Sequence, residues 1–125
     1  MIIETNSAQE TFDLGYKMGK KASRGDVICL EGQLGAGKTV FAQGFAKGLG
    51  ITENINSPTY NIVQIYEGGR LPLYHFDVYR INNVEEIYDV GMEEYFFGNG
   101  VCLIEWASII QQVIPASAVI VKIKK

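Results

Sequence analysis

Proline, cysteine, histidine and tryptophan are all scarce in this 125-residue sequence, which holds three, two, one and one of them respectively. The two cysteines, Cys29 and Cys102, each sit inside an apolar run, Val27-Ile28-Cys29-Leu30 and Val101-Cys102-Leu103-Ile104, and read as small buried hydrophobes. With no CxxC pair, a zinc site or a dithiol redox motif has no basis. An excess of positive charge is also missing. The net charge is −3, so no sequence-wide basic field is available to hold nucleic acid, which argues against a stand-alone nucleic-acid binder. No apolar run approaches the ~20 residues that a membrane helix needs. The opening Met1-Ile2-Ile3-Glu4 turns polar at once, unlike a signal peptide, so the chain reads as cytoplasmic. Internal repeats, low-complexity tracts and linkers are absent too. What remains is one globular domain over residues 1–125, in which 47% hydrophobic residues suffice for a core without disulfides or a structural metal.

Glycine, by contrast, is plentiful, with 14 residues. Several of them fall in Gly32-Gln33-Leu34-Gly35-Ala36-Gly37-Lys38-Thr39, which fits the Walker A pattern G-x-x-x-x-G-K-[ST] in full. The glycines let the backbone curl so that successive N–H groups point at phosphate oxygens. Gly35 and Ala36 keep the loop small where phosphates approach, Lys38 places a cation on the β- and γ-phosphates, and the Thr39 hydroxyl ligates Mg²⁺. The pattern arises by chance in about one chain in a hundred of such composition. Its setting sharpens it: the run Val27–Leu30 predicts a buried strand before it, and Phe41 and Phe45, four apart, predict a helix after it, stopped by Gly48 and Gly50. The dipole of that helix adds to the anion site.

Elsewhere, Ser7 and Glu10 have capping-box spacing and predict a helix from there to about Ala22. Asn61–Tyr66 and Leu71–Tyr79 read as two strands around the turn signal Glu67-Gly68-Gly69-Arg70. Residues 84–97 read as short helical turns broken at Gly91, Val101–Ile104 as a second buried strand ending in Glu105, Ala107–Val113 as a short helix, and Ala118–Ile123 as a last strand. The fold class is therefore α/β: a layered P-loop NTPase-like domain whose mixed, mostly parallel sheet is flanked by helices.

A P-loop site needs an acid that reaches the metal or its water shell, and a strand C-terminus is the natural place for one. Two candidates are open, Glu105 and Asp77; each is also readable as a structural carboxylate, Asp77 paired with Arg80. Thr59, in Ser57-Pro58-Thr59-Tyr60, is either a switch residue that senses the γ-phosphate or part of an ordinary turn. His75 reads as a strand-borne, hydrogen-bonded histidine in preference to a catalytic base. Trp106 is either a stacking residue near the nucleotide or a partner, or core. No N-K-x-D segment signals guanine, which leans towards ATP.

Four segments together, Gly32–Thr39, Ser57–Tyr60, His-Phe-Asp-Val-Tyr-Arg at 75–80 and Cys-Leu-Ile-Glu-Trp at 102–106, resemble the TsaE (YjeE) family. Their order and spacing fit from about Ser7 to Trp106. The resemblance implies a slow, magnesium-dependent ATPase of tRNA threonylcarbamoyladenosine biosynthesis. Its partners would be TsaD and TsaB, with tRNA reached only through that complex. It implies an ATP·Mg²⁺ site on Lys38 and Thr39 with Glu105 as the metal-side acid, and it brings Thr59 and Asp77 into the catalytic or switching apparatus. It further implies that Glu10, Thr11 and the residues after Glu105, Trp106 first, lie near the nucleotide base. The family usually has Asp at the place of Gln33 and Thr at the place of Val40; the latter loses a hydroxyl near the α-phosphate. Family members usually continue past the strand that ends at Lys124-Lys125, so the resemblance also implies a short C-terminus here. A second reading from the same residues is a nucleotide-dependent regulatory module in which hydrolysis is incidental. The sequence carries no signal for oligomeric state.

Overall fold

The protein is described from a computed structural model, which covers residues 2–32, 36–55, 63–78, 85, 91–96 and 98–123. Strand β1 (Ile2–Thr5) leads into helix α1 (Ala8–Lys21), β2 (Val27–Gly32) and helix α2 (Ala36–Gly48). Strands β3 (Val63–Tyr66) and β4 (Leu73–Asp77) follow, then a short helix Met92–Phe96 and β5 (Val101–Glu105). A kinked 3₁₀ segment, Ala107–Val113, precedes β6 (Val119–Ile123). The six strands form one sheet in the order β1-β6-β2-β5-β4-β3. Every neighbouring pair is parallel except β3–β4. The sheet is mixed because of that one hairpin, as the sequence predicts.

Side-chain alternation sorts the core into two layers. Ile28, Leu30, Leu73, Val101, Leu103 and Val121 face the layer that also holds Phe41, Phe45 and Leu49 of α2. Val27, Cys29, Phe76, Cys102 and Ile104 face the other layer, under Met92, Phe96 and Ile110. The central strands β2 and β5 are covered on both faces, so they read as unbroken apolar runs.

Strand β1 is a correction to the sequence reading, which starts its first element at Ser7. Ile2 to Thr5 pair in parallel with Ile120 to Ile123, at the edge of the sheet. The helix that follows begins as predicted. The Ser7 hydroxyl accepts from the Glu10 amide at 3.1 Å, and the Glu10 carboxylate accepts from the Asn6 amide at 3.2 Å. At its other end the Arg70 guanidinium donates to the carbonyls of Gly19 and Lys20, satisfying groups that a helix C-terminus leaves open. The turn Glu67–Arg70 is thus tied to α1 as well as closing the hairpin.

Helices α1 and α2 run in the same direction over one face of the sheet and touch through glycines. A Cβ on Gly15 would lie 2.6 Å from the Phe41 carbonyl oxygen. One on Gly19 would overlap that of Phe45, and ones on Gly44 and Gly48 would overlap those of Phe12 and Tyr16. The backbones therefore approach as closely as two helices can, and both N-termini point to the same edge of the sheet. Among the described residues no helix is long and apolar enough to cross a membrane.

Two predictions follow from this packing. Gly19→Ala forces a methyl group against helix backbone that cannot rotate away, and should lower stability by about 1–3 kcal/mol. Exposed Gln43→Ala on α2 should stay within about 0.5 kcal/mol. Urea midpoints measure both, and equal midpoints would refute the close helix contact. Burial lifts the thiols of Cys29 and Cys102 to about 12, with Glu31 adding to the first and Cys29 to the second. Three units above an ordinary thiol at 9.0 means about a thousandfold less thiolate at pH 8. A water-soluble disulfide reagent at pH 8 should label neither cysteine in the native protein and both in urea.

Candidate functional site

Strand β2 delivers the chain to the glycine loop, whose residues 33–35 lie outside the described part, as Gly35 therefore does. The ends of the loop are visible and tightly backed. A Cβ on Gly32 would sit 2.8 Å from the Ile123 carbonyl oxygen, and one on Gly37 would sit 2.7 Å from the Ile123 side chain. Both glycines are required because β6 runs directly behind them. Helix α2 then starts at Ala36, which brings Gly37, Lys38, Thr39 and Val40 into its first turn. Its opening N–H groups have no intrahelical acceptor and face the C-terminal edge of the sheet.

Lys38 is only 4% exposed, unusual for a lysine. Its ammonium lies 3.7 Å from the centroid of the Trp106 ring, a desolvated cation–π contact of about 2 kcal/mol. Trp106 takes that position because β5 ends abruptly: its φ of 65° is the only positive value on a non-glycine residue among those described. A left-handed residue costs on the order of 1 kcal/mol and persists where its surroundings hold it. The ring also packs against the apolar layer that holds Met92, Phe96 and Ile110.

The two acids come together through strand register. Glu105 pairs with Leu30 on one side and with Asp77 on the other. Alternation directs Glu105 and Asp77 to the same face as Leu103 and Leu73, the face beneath α2. Both therefore sit at strand C-terminal ends, Glu105 on the strand beside the one that feeds the glycine loop and Asp77 one strand further out. Glu105 is 3% exposed, and its Oε2 lies 2.6 Å from Nε2 of His75, which is fully buried. Asp77 is half-buried. Like charges opposite one another on adjacent strands repel, so the arrangement calls for a compensating donor or cation.

The remaining expected residues divide. Glu10 and Thr11 lie in the first turn of α1, at the same sheet edge, because Thr5 is in register with Ile123 and Ile123 with Gly32. Their polar groups are turned to the helix start: the Glu10 carboxylate accepts from the Asn6 amide, one residue before the cap, and the buried Thr11 hydroxyl donates to the Ser7 carbonyl at 2.8 Å and pairs with the Thr5 hydroxyl at 2.7 Å. Thr59 and its neighbours 56–60 lie outside the described residues, as does Arg80. The sequence reading names His75 but does not connect it to Glu105. Its signal is the i, i+2 spacing to Asp77, which puts both on one face of β4.

No group of three or more histidine, cysteine, aspartate or glutamate side chains is gathered for a metal among the described residues. A magnesium ion does not require one. It takes one or two carboxylates or hydroxyls and fills its shell with water and phosphate oxygens. Thr39 and Glu105, with the glycine cradle and a buried lysine, are a donor set of that kind.

The chain is similar to several known proteins. Residues 5–125 match the family model described as "Threonylcarbamoyl adenosine biosynthesis protein TsaE". A Bacillus subtilis protein named tRNA threonylcarbamoyladenosine biosynthesis protein TsaE is 49% identical over 121 residues, 97% of this chain and 75% of that one. The protein of the same name from Treponema pallidum is 42% identical over 120 residues, 96% of this chain and 88% of its own. A crystal structure of Bacillus subtilis YdiB superposes with a TM-score of 0.68 at 44% identity, over 89% of this chain and 67% of that one. The layered P-loop fold, the family model and relatives matched over almost the whole chain lead to one assignment: this chain belongs to the TsaE family.

Proposed function

We propose that this protein binds ATP with magnesium, hydrolyses it slowly, and serves tRNA threonylcarbamoyladenosine biosynthesis together with TsaD and TsaB. The observation that carries the proposal is the buried Lys38 at the start of α2, with Glu105 and Asp77 side by side at the neighbouring strand ends. A lysine taken out of water in this way is compensated when an anion reaches it.

In this reading the β- and γ-phosphates lie along the glycine loop and the first N–H groups of α2, and Lys38 leaves the Trp106 ring to meet their oxygens. Thr39 and Glu105 would hold magnesium, whose charge would stabilise the phosphate oxygens. Asp77 orients the attacking water. The water oxygen bonds to the γ-phosphorus and gives up a proton to the departing phosphate while the bond to the bridging oxygen breaks, releasing ADP and hydrogen phosphate. Thr59 senses the γ-phosphate and transmits its presence to the partners. Low intrinsic turnover fits a site with no arginine at the phosphates among the described residues, since such an arginine is worth ~10³–10⁵ in rate.

One observation favours the regulatory-module reading as a second choice. Glu105 is fixed by a hydrogen bond to His75, which suits a stationary metal ligand better than a mobile base. If Asp77 also serves only to balance charge, ATP occupancy by itself would switch partner affinity.

Lys38→Ala should weaken ATP binding by about 10–100-fold in calorimetry, the loss of one charge-assisted contact set. The sole tryptophan, Trp106, provides a second readout. Its emission should change as ATP draws Lys38 off the ring, and should not respond in Lys38→Ala. Undiminished ATP affinity in that variant contradicts the phosphate-site reading. Phosphate release should rise on adding TsaD and TsaB and fall by about 10²-fold or more in Glu105→Ala or Asp77→Ala. Release that neither substitution affects would favour the regulatory module.

A further inference from the structure

His75 occupies a position whose neighbours are apolar. Leu73, two residues earlier on the same face of β4, is fully buried, as is Leu103, its register partner on β5. An aliphatic side chain would fill that place equally well, so packing does not account for an imidazole. The one hydrogen bond the ring makes is to Glu105, diagonally across on β5. The geometry also identifies the tautomer. Among the described residues Nδ1 is the only buried side-chain polar atom without a partner. An unpaired N–H there would leave a donor unsatisfied in the core, whereas an unpaired lone pair costs less. The proton therefore sits on Nε2, which donates to the carboxylate.

We propose that His75 is a positioning residue for Glu105: its Nε2–H holds the carboxylate in one place at the strand end, so that Glu105 can take its metal-side role without searching rotamers. The inference rests on the proposed metal-side role of Glu105. Two features give the hold its use. The carboxylate is buried, so a partner must replace its lost hydration. It is also in register with Asp77, whose charge pushes it away. A donor on a third position of the same face counters both. Carboxylates that ligate metals are commonly fixed by such outer partners, and losing one costs about 10–100-fold in metal affinity.

The test is calorimetric titration of ATP into the purified protein at a series of Mg²⁺ concentrations, with urea midpoints recorded for every variant. In the unaltered protein Mg²⁺ should tighten ATP binding, and Glu105→Gln should lose that dependence while still binding ATP without metal. His75→Leu should keep metal-free ATP binding and raise the Mg²⁺ concentration needed by about 10–100-fold. His75→Gln should restore most of the effect, because its amide nitrogen reaches the place of Nε2. His75→Asn should not, because its amide stands where Nδ1 does. The Gln and Asn variants carry the same buried amide, so their comparison isolates the hydrogen bond even if His75→Leu does not fold. Equal Mg²⁺ dependence in the Gln and Asn variants, with Glu105→Gln altered, overturns the positioning role. An unaltered Mg²⁺ dependence in Glu105→Gln removes the metal-side role and the positioning role with it.

Discussion

Leu30, Glu105 and Asp77 lie level with one another on three parallel strands, and that register is what the site depends on. A slip of one residue in either pairing would carry an acid to the opposite face of the sheet, away from α2. The register is held by burial on both faces: Val101 to Ile104 are wholly buried, as are Val27 to Leu30 beside them. The hydrophobic sandwich and the placement of the acids are thus one arrangement. The same edge receives the N-termini of α1 and α2, whose directions are fixed by reciprocal glycine contacts. Helix dipoles, backbone N–H groups and carboxylates converge at the edge where the phosphate and magnesium are proposed to bind.

Two charged side chains at this edge are held by uncharged or aromatic partners. Lys38 rests on an aromatic face, and Glu105 rests on His75. The ring quadrupole is a weaker partner for the lysine than the phosphate oxygens proposed to replace it, whereas His75 stays on Glu105. The positive φ of Trp106 gives the first pair its geometry, since the chain must bend sharply after Glu105 to bring the indole over the lysine. Strain, desolvation and partner choice are all concentrated in the few residues 105–106 and 38. That concentration is common to sites that must change partners without moving their backbone.

Much of this was legible in the sequence, for identifiable reasons. Val27–Leu30 and Val101–Ile104 announce buried strands because both faces are covered, and the Walker A spacing between a strand and a helix announces the loop. Ser7 and Glu10 announce the start of α1 through their own side chains. What escaped has a physical cause in each case. Strand β1 is only four residues long and lies at an edge, so it shows neither alternation nor a flanking turn signal. The bond between His75 and Glu105 joins residues 30 apart and depends on register, which a single sequence does not encode locally. Gly15 and Gly19 look like helix-face positions until α2 is laid against them. The left-handed turn at Trp106 falls on a residue type with no preference for it, and the ring's tertiary contacts, with Lys38 among them, hold it there. Segment similarity was the stronger guide to the family, and residues 5–125 matching the TsaE model agree with it.

The central claim is that Lys38 exchanges the Trp106 ring for phosphate at an edge where Thr39 and Glu105 meet magnesium. A crystal structure of the protein with Mg²⁺ and a non-hydrolysable ATP analogue tests it most directly. The account predicts the Lys38 ammonium on the β- and γ-phosphates and off the indole, with Thr39 and Glu105 on the metal side and the His75–Glu105 hydrogen bond intact. Lys38 still seated on Trp106, with the nucleotide bound elsewhere or Glu105 turned away from the metal, would contradict it.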